Sequence, residues 1–220
     1  MITLTPRQQT IADFVPLCAC AADIGCDHGR LGAYLLQSGR VGKVIACDIS
    51  RASLDKAERL AGQLGLANYV TRCGDGLSVV GAGEADCAVI AGMGGATIAG
   101  ILSAAKHPPG VIVAQPMNAA YLLKESLAEL GYMPADERLS LEGRRYYETL
   151  LLVRGNKCLT EAEKLLPMPA VRRRDPLCAG YIKHKLAILR AAALRANDAS
   201  AINRKIAVFE EAEHWLRSET

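Results

Sequence analysis

The sequence is poor in aromatic residues and lacks the long apolar segments that would mark a membrane protein. Only 5% of its 220 residues are aromatic, and it has one tryptophan. No apolar run reaches the roughly 18 residues that a membrane-spanning helix needs. The first residues also show no basic region followed by a long apolar stretch, which is the pattern of a secretory signal. We therefore expect a cytoplasmic protein with no membrane partner.

Paired cysteine motifs are absent too. The chain has eight cysteines but no Cys-x-x-Cys pair, which argues against a zinc site. Most of the cysteines lie in or beside apolar, strand-like runs, where a reduced thiol packs as a small apolar group. These are Cys18, Cys20, Cys26, Cys47, Cys73 and Cys87. The pattern predicts a reducing compartment and no bound metal.

Positive charge is concentrated in the C-terminal part of the chain. Residues 1–155 hold 14 basic and 15 acidic residues, a net charge of −1, and residues 156–220 hold 12 and 8, a net charge of +4. The basic part includes the run Arg172-Arg173-Arg174. Such a patch is typical of a surface that binds a phosphate-rich partner. A solvated helical surface is an equally good interpretation of so small an excess.

Strand-like runs alternate with helical patterns, whose starts include the capping sequences Thr5-Pro6 and Ser50. The five runs are residues 19–23, 43–48, 69–73, 85–91 and 111–114. Two further segments, residues 132–139 and 146–154, are joined by a short turn through Glu142-Gly143 and predict an antiparallel pair. The pattern predicts a doubly wound α/β sheet of about seven strands.

The pattern changes after Gly155. The sequence Pro167-Met168-Pro169 is typical of a linker, and apolar residues then recur at spacings of four, three and four over residues 182–193. A similar stripe continues over residues 202–216, after a break at Asn197-Asp198. This predicts a coiled-coil-like helical hairpin with a narrow apolar seam. We expect two domains, residues 1–155 and residues 156–220.

The end of the first strand carries an acidic, glycine-containing turn, Asp23-Ile-Gly25-Cys-Asp27-His28-Gly29. Its spacing is not Gly-x-Gly-x-x-Gly, so the dinucleotide-binding fingerprint is missing. An acid at the end of this strand would repel a pyrophosphate but suits a positively charged ligand such as S-adenosylmethionine. A nicotinamide-dependent oxidoreductase on a Rossmann sheet is the alternative that these two observations disfavour.

Two more acids follow the next strands. Asp48 ends the second strand, where a carboxylate can accept both hydroxyls of a ribose. Asp75, in Gly74-Asp75-Gly76-Leu77 after the third strand, can accept from the amine of an adenine. Each acid alone is equally well explained as a cap or turn residue. Together they predict a nucleoside-bearing cofactor at the carboxyl edge of the sheet.

The fourth and fifth strands are followed by two further segments. Gly92-Met93-Gly94-Gly95 can form a tight wall whose amides face a ligand, or a plain turn before a helix. The amides of Gln115 and Asn118, in Gln115-Pro116-Met117-Asn118, can read the edge of a base because each offers a donor and an acceptor.

These segments resemble the bacterial TrmK family of tRNA (adenine-N1)-methyltransferases, which are class I S-adenosylmethionine-dependent enzymes. The matching segments are Arg7-x-x-x-Ile11-Ala12, Ala22-Asp23-Ile24-Gly25-x-Asp27-His28, Gly74-Asp75-Gly76-Leu77, Ile90-Ala91-Gly92-Met93-Gly94-Gly95, Gln115-Pro116 and Tyr147-Glu148. The chain departs from the family pattern at Gly29-Arg30 and at Met117.

The resemblance implies a Rossmann-like methyltransferase sheet and methyl transfer from S-adenosylmethionine to N1 of a tRNA adenine in the D-arm region, at position 22. The implied cofactor-binding residues are Asp23, Gly25, Asp48, Ile49, Asp75, Gly76, Gly92, Met93, Gly94 and Gly95. Asp27 and His28 are candidate catalytic residues. Candidate substrate-binding residues are Arg7, Gln115, Pro116 and Tyr147, with Arg172, Arg173 and Arg174 of the tail. We expect tRNA as partner, no metal, and a monomer or weak homodimer.

The chemistry is compatible with this function. The Asn/Asp-Pro-Pro-aromatic motif of many methyltransferases that modify exocyclic amines is absent, which fits a ring-nitrogen target. N1 of adenine attacks with its own lone pair, so the enzyme mainly has to position it. Asp27 can stabilise the positive charge that develops on the ring, and Tyr147 can offer a stacking face. His28 can equally be structural. A methyltransferase for another RNA or a small molecule, and a catalytically silent binding module, are the remaining alternatives.

Overall fold

Residues 2–218, which are the residues that this computed structural model describes, contain seven strands, nine α-helices and a short 3-10 helix at Gly76–Val79. The strands are β1 (Cys18–Ile24), β2 (Val41–Asp48), β3 (Tyr69–Cys73), β4 (Cys87–Gly94), β5 (Val111–Asn118), β6 (Tyr132–Glu142) and β7 (Arg145–Arg154). The helices are α1 (Pro6–Phe14), α2 (Arg30–Gln37), α3 (Arg51–Gln63), α4 (Gly95–Ala104), α5 (Ala120–Ser126), α6 (Glu161–Leu165), α7 (Met168–Arg172), α8 (Cys178–Ala193) and α9 (Ser200–Arg217).

The strands form one sheet in the order β3-β2-β1-β4-β5-β7-β6. Strands β1 to β5 are parallel, and β7 is antiparallel to both β5 and β6. This confirms the predicted α/β sheet of about seven strands with an antiparallel pair. The winding reverses between β1 and β4, which are neighbours in the sheet. Ligands of open α/β sheets bind at the carboxyl side of such a switch point.

Two apolar layers cover the faces of the sheet. On one face, Ala22 and Ile90 of the central strands pack with Ile98 of α4 and Leu123 of α5. On the other face, apolar residues of α1, α2 and α3 cover the alternate positions of the same strands. Since both faces are covered, the central strands read as continuous apolar runs rather than as alternating ones.

Strands β4 and β5 are longer than the sequence predicts. The predicted run 85–91 corresponds to Cys87–Gly94, and the predicted run 111–114 corresponds to Val111–Asn118. Met93 pairs with Pro116 and Gly94 with Asn118, with irregular register on both sides of Met93. Gly92-Met93-Gly94 and Gln115-Pro116-Met117-Asn118, which the sequence predicts to follow the fourth and fifth strands, are therefore the irregular paired ends of β4 and β5, and Gly95 begins α4.

The tail contains the predicted helical hairpin, which is formed by α8 and α9. The predicted linker at Pro167-Met168-Pro169 is wrong, because these residues lead into α7. Proline is tolerated in the first turn of a helix, where its missing N–H is not needed. Ala170 and Val171 of α7 are buried in a third apolar cluster with Leu139 of β6. The tail thus packs directly on the outer strand of the sheet.

A buried group of charges also connects the tail to the sheet. The Lys124 ammonium in α5 lies 2.6 Å from a Glu137 oxygen of β6 and 3.4 Å from a Glu148 oxygen of β7. It donates a hydrogen bond to the Leu166 carbonyl of the tail (3.0 Å). The Tyr181 hydroxyl of α8 donates to Glu148 (2.6 Å). Burial raises the pKa of Glu137 to about 7, and the neighbouring ammonium opposes that rise.

Removing the Lys124 charge is expected to destabilise the protein strongly. The K124M variant keeps the apolar stem but leaves buried carboxylates without a counter-ion, and such a loss costs about 3–5 kcal/mol. The loss should be larger at pH 8 than at pH 5.5, because the pKa of Glu137 is raised and its carboxyl takes up a proton at the lower pH. Urea unfolding at both pH values measures it.

The control is K157M, which removes an exposed ammonium 2.7 Å from Glu163. Exposed pairs contribute about 0–1 kcal/mol. A loss for K124M no larger than that of K157M would contradict the role given to the buried lysine.

Candidate functional site

A cavity of about 350 Å³ opens at the carboxyl ends of β1 and β4, at the switch point of the sheet. Its lining comes from α1, from the turn after β1, from the start of α2 and from the end of β4. The lining residues are Arg7, Gln8, Ile11, Asp23, Gly25, Cys26, Asp27, His28, Arg30, Leu31, Ala91 and Gly92. A larger cavity of about 520 Å³ lies among α6, α7 and α9. Arg172 is the one predicted site residue on the wall of this larger cavity, whereas several predicted site residues line the smaller one. The smaller cavity is therefore the candidate site.

Asp23 lies at the inner wall of the candidate site. Its side chain is 5% exposed, and its Oδ2 atom has no hydrogen-bond partner among the described residues. Burial raises the pKa of Asp23 to about 7; the Gly32 backbone lowers it and the charge of Asp48 raises it further. A buried carboxylate oxygen without a partner is costly. The site is therefore suited to a ligand group that is positively charged and donates hydrogen bonds.

Gly25 lets the end of β4 approach the turn after β1. Its φ is +71°, and a Cβ atom at this position would lie 2.2 Å from the Met93 Cε atom. Any side chain would therefore both strain the backbone and displace Met93. The amides of Gly25 and Cys26 donate to the Cys47 carbonyl (2.8 and 3.1 Å), which ties the turn to β2.

The other glycines of the predicted cofactor site shape the start of α4. Gly92 lines the cavity with φ of +79°. A Cβ atom at Gly95 would lie 2.2 Å from the Ala119 carbonyl oxygen, so only glycine allows the first turn of α4 to contact the residues that follow β5. Gly94, between them, packs beside the Asn118 side chain.

The predicted row of acids lies on adjacent strands, because β1, β2 and β3 pair in parallel. The Asp48 carboxylate accepts from the amides of Asp27 (3.1 Å) and Ser50 (2.8 Å), so it is held at the end of β2 as a cap and still faces the same edge. Asp75 is exposed beyond β3.

Two predicted cofactor residues flank these acids. Ile49 is 75% exposed, directly after β2. Gly76 is buried with φ of +55° and packs against Ile101 of α4, so it shapes the edge without presenting a side chain.

Asp27 and His28 form a pair at the mouth of the cavity. The Asp27 carboxylate lies 2.6 Å from the His28 Nδ1 atom, and the Lys56 ammonium of α3 lies 3.2 Å from Nε2. A neutral ring with its proton on Nδ1 donates to Asp27 and accepts from Lys56. Lys56 is not among the site residues predicted from the sequence. The cap at Ser50 was the available signal, because it places the second turn of α3 near this edge.

Arg7, which lines the cavity, also contacts two other predicted substrate residues, Gln115 and Tyr147. Its guanidinium donates to the Gln115 Oε1 atom (2.6 Å), lies 5.5 Å from the centre of the Tyr147 ring, and has its Nε atom 3.6 Å from Glu142. Glu142 was predicted only as a turn residue, and its contact with Arg7 has no local signal in the sequence.

Two of the predicted substrate residues are buried. Gln115 is fully buried, and its amide nitrogen donates to the Pro116 carbonyl (2.9 Å), so neither end of the amide is available to a base. Tyr147 is 7% exposed, and Arg7 covers one of its faces. The cause is that β5 continues past Gln115 and keeps this residue and Pro116 inside the sheet. Met117 and Asn118 are the exposed residues of this segment.

The three consecutive arginines do not form a free basic patch. Arg173 forms an ion pair with Asp136 and donates to the Glu137 carbonyl (2.7 Å). Arg174 lies 4.7 Å above the Trp215 ring and donates to the Leu216 carbonyl (3.2 Å). Arg172 is exposed and lies 3.8 Å from Glu163. Two of the three cations therefore hold α7 against β6 and α9.

All eight cysteines carry free thiols. Within residues 2–218, no three His, Cys, Asp or Glu side chains converge as metal ligands would. None of the described helices is long and apolar enough to cross a membrane.

A family model and a curated relative match this sequence. A methyltransferase-domain family model matches residues 4–150. A tRNA (adenine(22)-N(1))-methyltransferase of Bacillus subtilis (strain 168) is 36% identical over 160 residues, which cover 71% of this chain and 67% of that protein.

Solved structures agree with this. The B. subtilis m1A22 tRNA methyltransferase TrmK is 28% identical with a TM-score of 0.80, and the match covers 99% of this chain and 98% of that one. TrmK of M. capricolum, solved with S-adenosyl-homocysteine, has the same fold, with 22% identity, a TM-score of 0.84 and coverage of 97% and 99%. The chain described here belongs to the TrmK family of methyltransferases.

Proposed function

We propose that this protein transfers the methyl group of S-adenosylmethionine to N1 of adenine 22 in tRNA. The observation that carries the proposal is the buried, unpartnered carboxylate oxygen of Asp23 at the switch point of a methyltransferase sheet. The 36% identical B. subtilis relative is a tRNA (adenine(22)-N(1))-methyltransferase, which supports both the reaction and the target.

The residues at the carboxyl edge fit this cofactor. When bound, S-adenosylmethionine supplies an electrophilic methyl group on a positively charged sulfur. Asp23 would hold the positively charged amino-acid end of the cofactor, because its unpaired oxygen needs a donor. Asp48, already fixed by two amides, would accept the ribose hydroxyls. Asp75 and the exposed Ile49 would face the adenine of the cofactor.

The target nitrogen needs positioning more than activation. N1 of adenine carries an in-plane lone pair, so no base has to remove a proton before attack. Correct alignment of the two reactants alone can contribute about 7–11 kcal/mol. N1 takes part in Watson–Crick pairing, so the target adenine has to be unpaired or turned out of the stack.

Asp27 would act on the substrate. Methylation leaves a positive charge on the adenine ring, and a carboxylate fixed beside the ring stabilises that charge. Asp27 lies at the mouth of the cavity, with its backbone amide bonded to Asp48 and its carboxylate bonded to His28. His28, held by Lys56 on its other side, is a positioning residue for this carboxylate.

A methyltransferase for another RNA or for a small molecule is the second candidate. It uses the same cofactor residues, and it is favoured by the burial of Gln115 and Tyr147, which leaves the expected base contacts covered. A nicotinamide-dependent oxidoreductase is disfavoured, since the Asp23 carboxylate would repel a pyrophosphate.

The first prediction from this function concerns the product. The purified protein, incubated with methyl-labelled S-adenosylmethionine and a tRNA transcript that has adenine at position 22, should yield labelled 1-methyladenosine. The same transcript with guanine at position 22 is the control and should stay unlabelled. Label in a different nucleoside, or equal label in both transcripts, would contradict the assigned target.

The second prediction concerns Asp27. The D27N variant should lose roughly 10²-fold in kcat, the order found when one charge-stabilising group is removed from an active site. Asparagine tolerates the positive φ of this position (+50°), so the fold should be retained. Steady-state kinetics and calorimetric titration with S-adenosylmethionine separate the two effects.

The control for D27N is D13N, which changes an exposed carboxylate on α1 and should leave kcat unchanged. Should D27N retain the kcat of the wild type, or lose only cofactor affinity, Asp27 has no role in the chemical step.

A further inference from the structure

The tip of the β6–β7 hairpin carries two neighbouring arginines, Arg144 and Arg145. Both side chains are exposed. Within residues 2–218, neither guanidinium makes an ion pair or a hydrogen bond. Two adjacent cations without a counter-ion create a local positive potential that an anion can lower. This pair lies in the part of the chain with a net negative charge, so the charge count of the sequence did not reveal it.

The hairpin tip lies at the same edge of the sheet as the cofactor site. Strand β7 is antiparallel to β5, with Val111 opposite Val153 and Ala114 opposite Leu150, so the start of β7 lies beside the carboxyl end of β5. Glu142, opposite Arg145 in the β6–β7 pair, lies 3.6 Å from Arg7, which lines the cavity. The two arginines therefore stand beside the cavity mouth.

More basic side chains continue from the hairpin tip along the tail. Tyr146 follows Arg145 in the sequence, and its ring lies 5.7 Å from the His184 ring of α8. Beyond it, a groove of about 200 Å³ lies between α5 and the helical hairpin, and its wall includes Tyr121, Lys185, Lys205 and Glu148. The Lys185 ammonium lies 3.9 Å from a Glu148 oxygen and is 39% exposed, whereas Glu148 is nearly buried. The Lys205 ammonium lies 4.3 Å from the centre of the Tyr121 ring. This groove starts at Ala119, directly after β5.

We propose that Arg144 and Arg145, continued by Lys185 and Lys205, bind the phosphates of the tRNA that flank the target adenine. This inference rests on the proposed function and names the residues that hold its substrate. A guanidinium binds phosphate oxygens through two parallel hydrogen bonds. The tRNA backbone would then run from the cavity mouth over the hairpin tip and along the groove, and Arg172, Arg173 and Arg174 would stabilise the tail.

The test is the double variant R144A/R145A, with R59A/K106A as a control that removes the same charge. Each lost phosphate contact should reduce the slope of log Kd against log salt by about 1. It should also weaken tRNA binding on the order of 5-fold at 0.15 M salt. The KM for tRNA should rise, while kcat and the affinity for S-adenosylmethionine stay unchanged. The R144K/R145K variant should recover part of the binding.

The control and the R172A variant should bind tRNA as the wild type does. An unchanged tRNA Kd and salt slope for R144A/R145A, or an equal loss in R59A/K106A, would overturn the inference. A loss confined to R172A would overturn it as well, because it would move the surface to α7. If the wild type methylates tRNA and R144A/R145A is unaffected, only this inference fails. If the wild type methylates no tRNA, the proposed function fails with it.

Discussion

One buried carboxylate constrains the candidate site. Asp23 is enclosed by the sheet and the start of α2, and its Oδ2 atom has no hydrogen-bond partner among the described residues. An unsatisfied buried acceptor costs about 1–3 kcal/mol, and more when it is charged. This unsatisfied carboxylate lies at the switch point of the sheet, where ligands of such folds bind. Around it, Gly25 and Asp48 are fixed by backbone hydrogen bonds, so the site is formed before a ligand arrives.

The β6–β7 hairpin links this site to the tail. At its tip, Glu142 contacts Arg7 of the cavity wall. Further along, Glu137 and Glu148 share Lys124 with the Leu166 carbonyl of the tail. Since the contacts of Lys124 are buried, the helical hairpin is held in a defined position relative to the cavity. A substrate that contacts both the tail and the cavity would therefore meet a preformed surface.

Much of the fold and of the cofactor side follows from local sequence signals. Apolar runs that end in acids predicted the strand ends at Asp23 and Asp48. This prediction succeeds because the apolar residues of a buried strand and the polar residues of the turn that follows it are neighbours in the sequence. The substrate side was less predictable. Whether Gln115 is exposed depends on how far β5 pairs with β4, and whether Arg173 is free depends on Asp136, 37 residues away. The number of basic residues can be read from the sequence. Which of them lack an ion-pair partner depends on the tertiary structure.

The affinity for S-adenosylmethionine as a function of pH tests the central role of Asp23 most directly. The pKa of Asp23 is about 7 in the free protein, and only the ionised carboxylate attracts a positively charged ligand. Calorimetry should therefore show binding that tightens roughly 10-fold or more from pH 5.5 to pH 7.5. The D23N variant should bind weakly with little dependence on pH. Wild-type affinity that does not change with pH, or wild-type behaviour of D23N, would contradict the account.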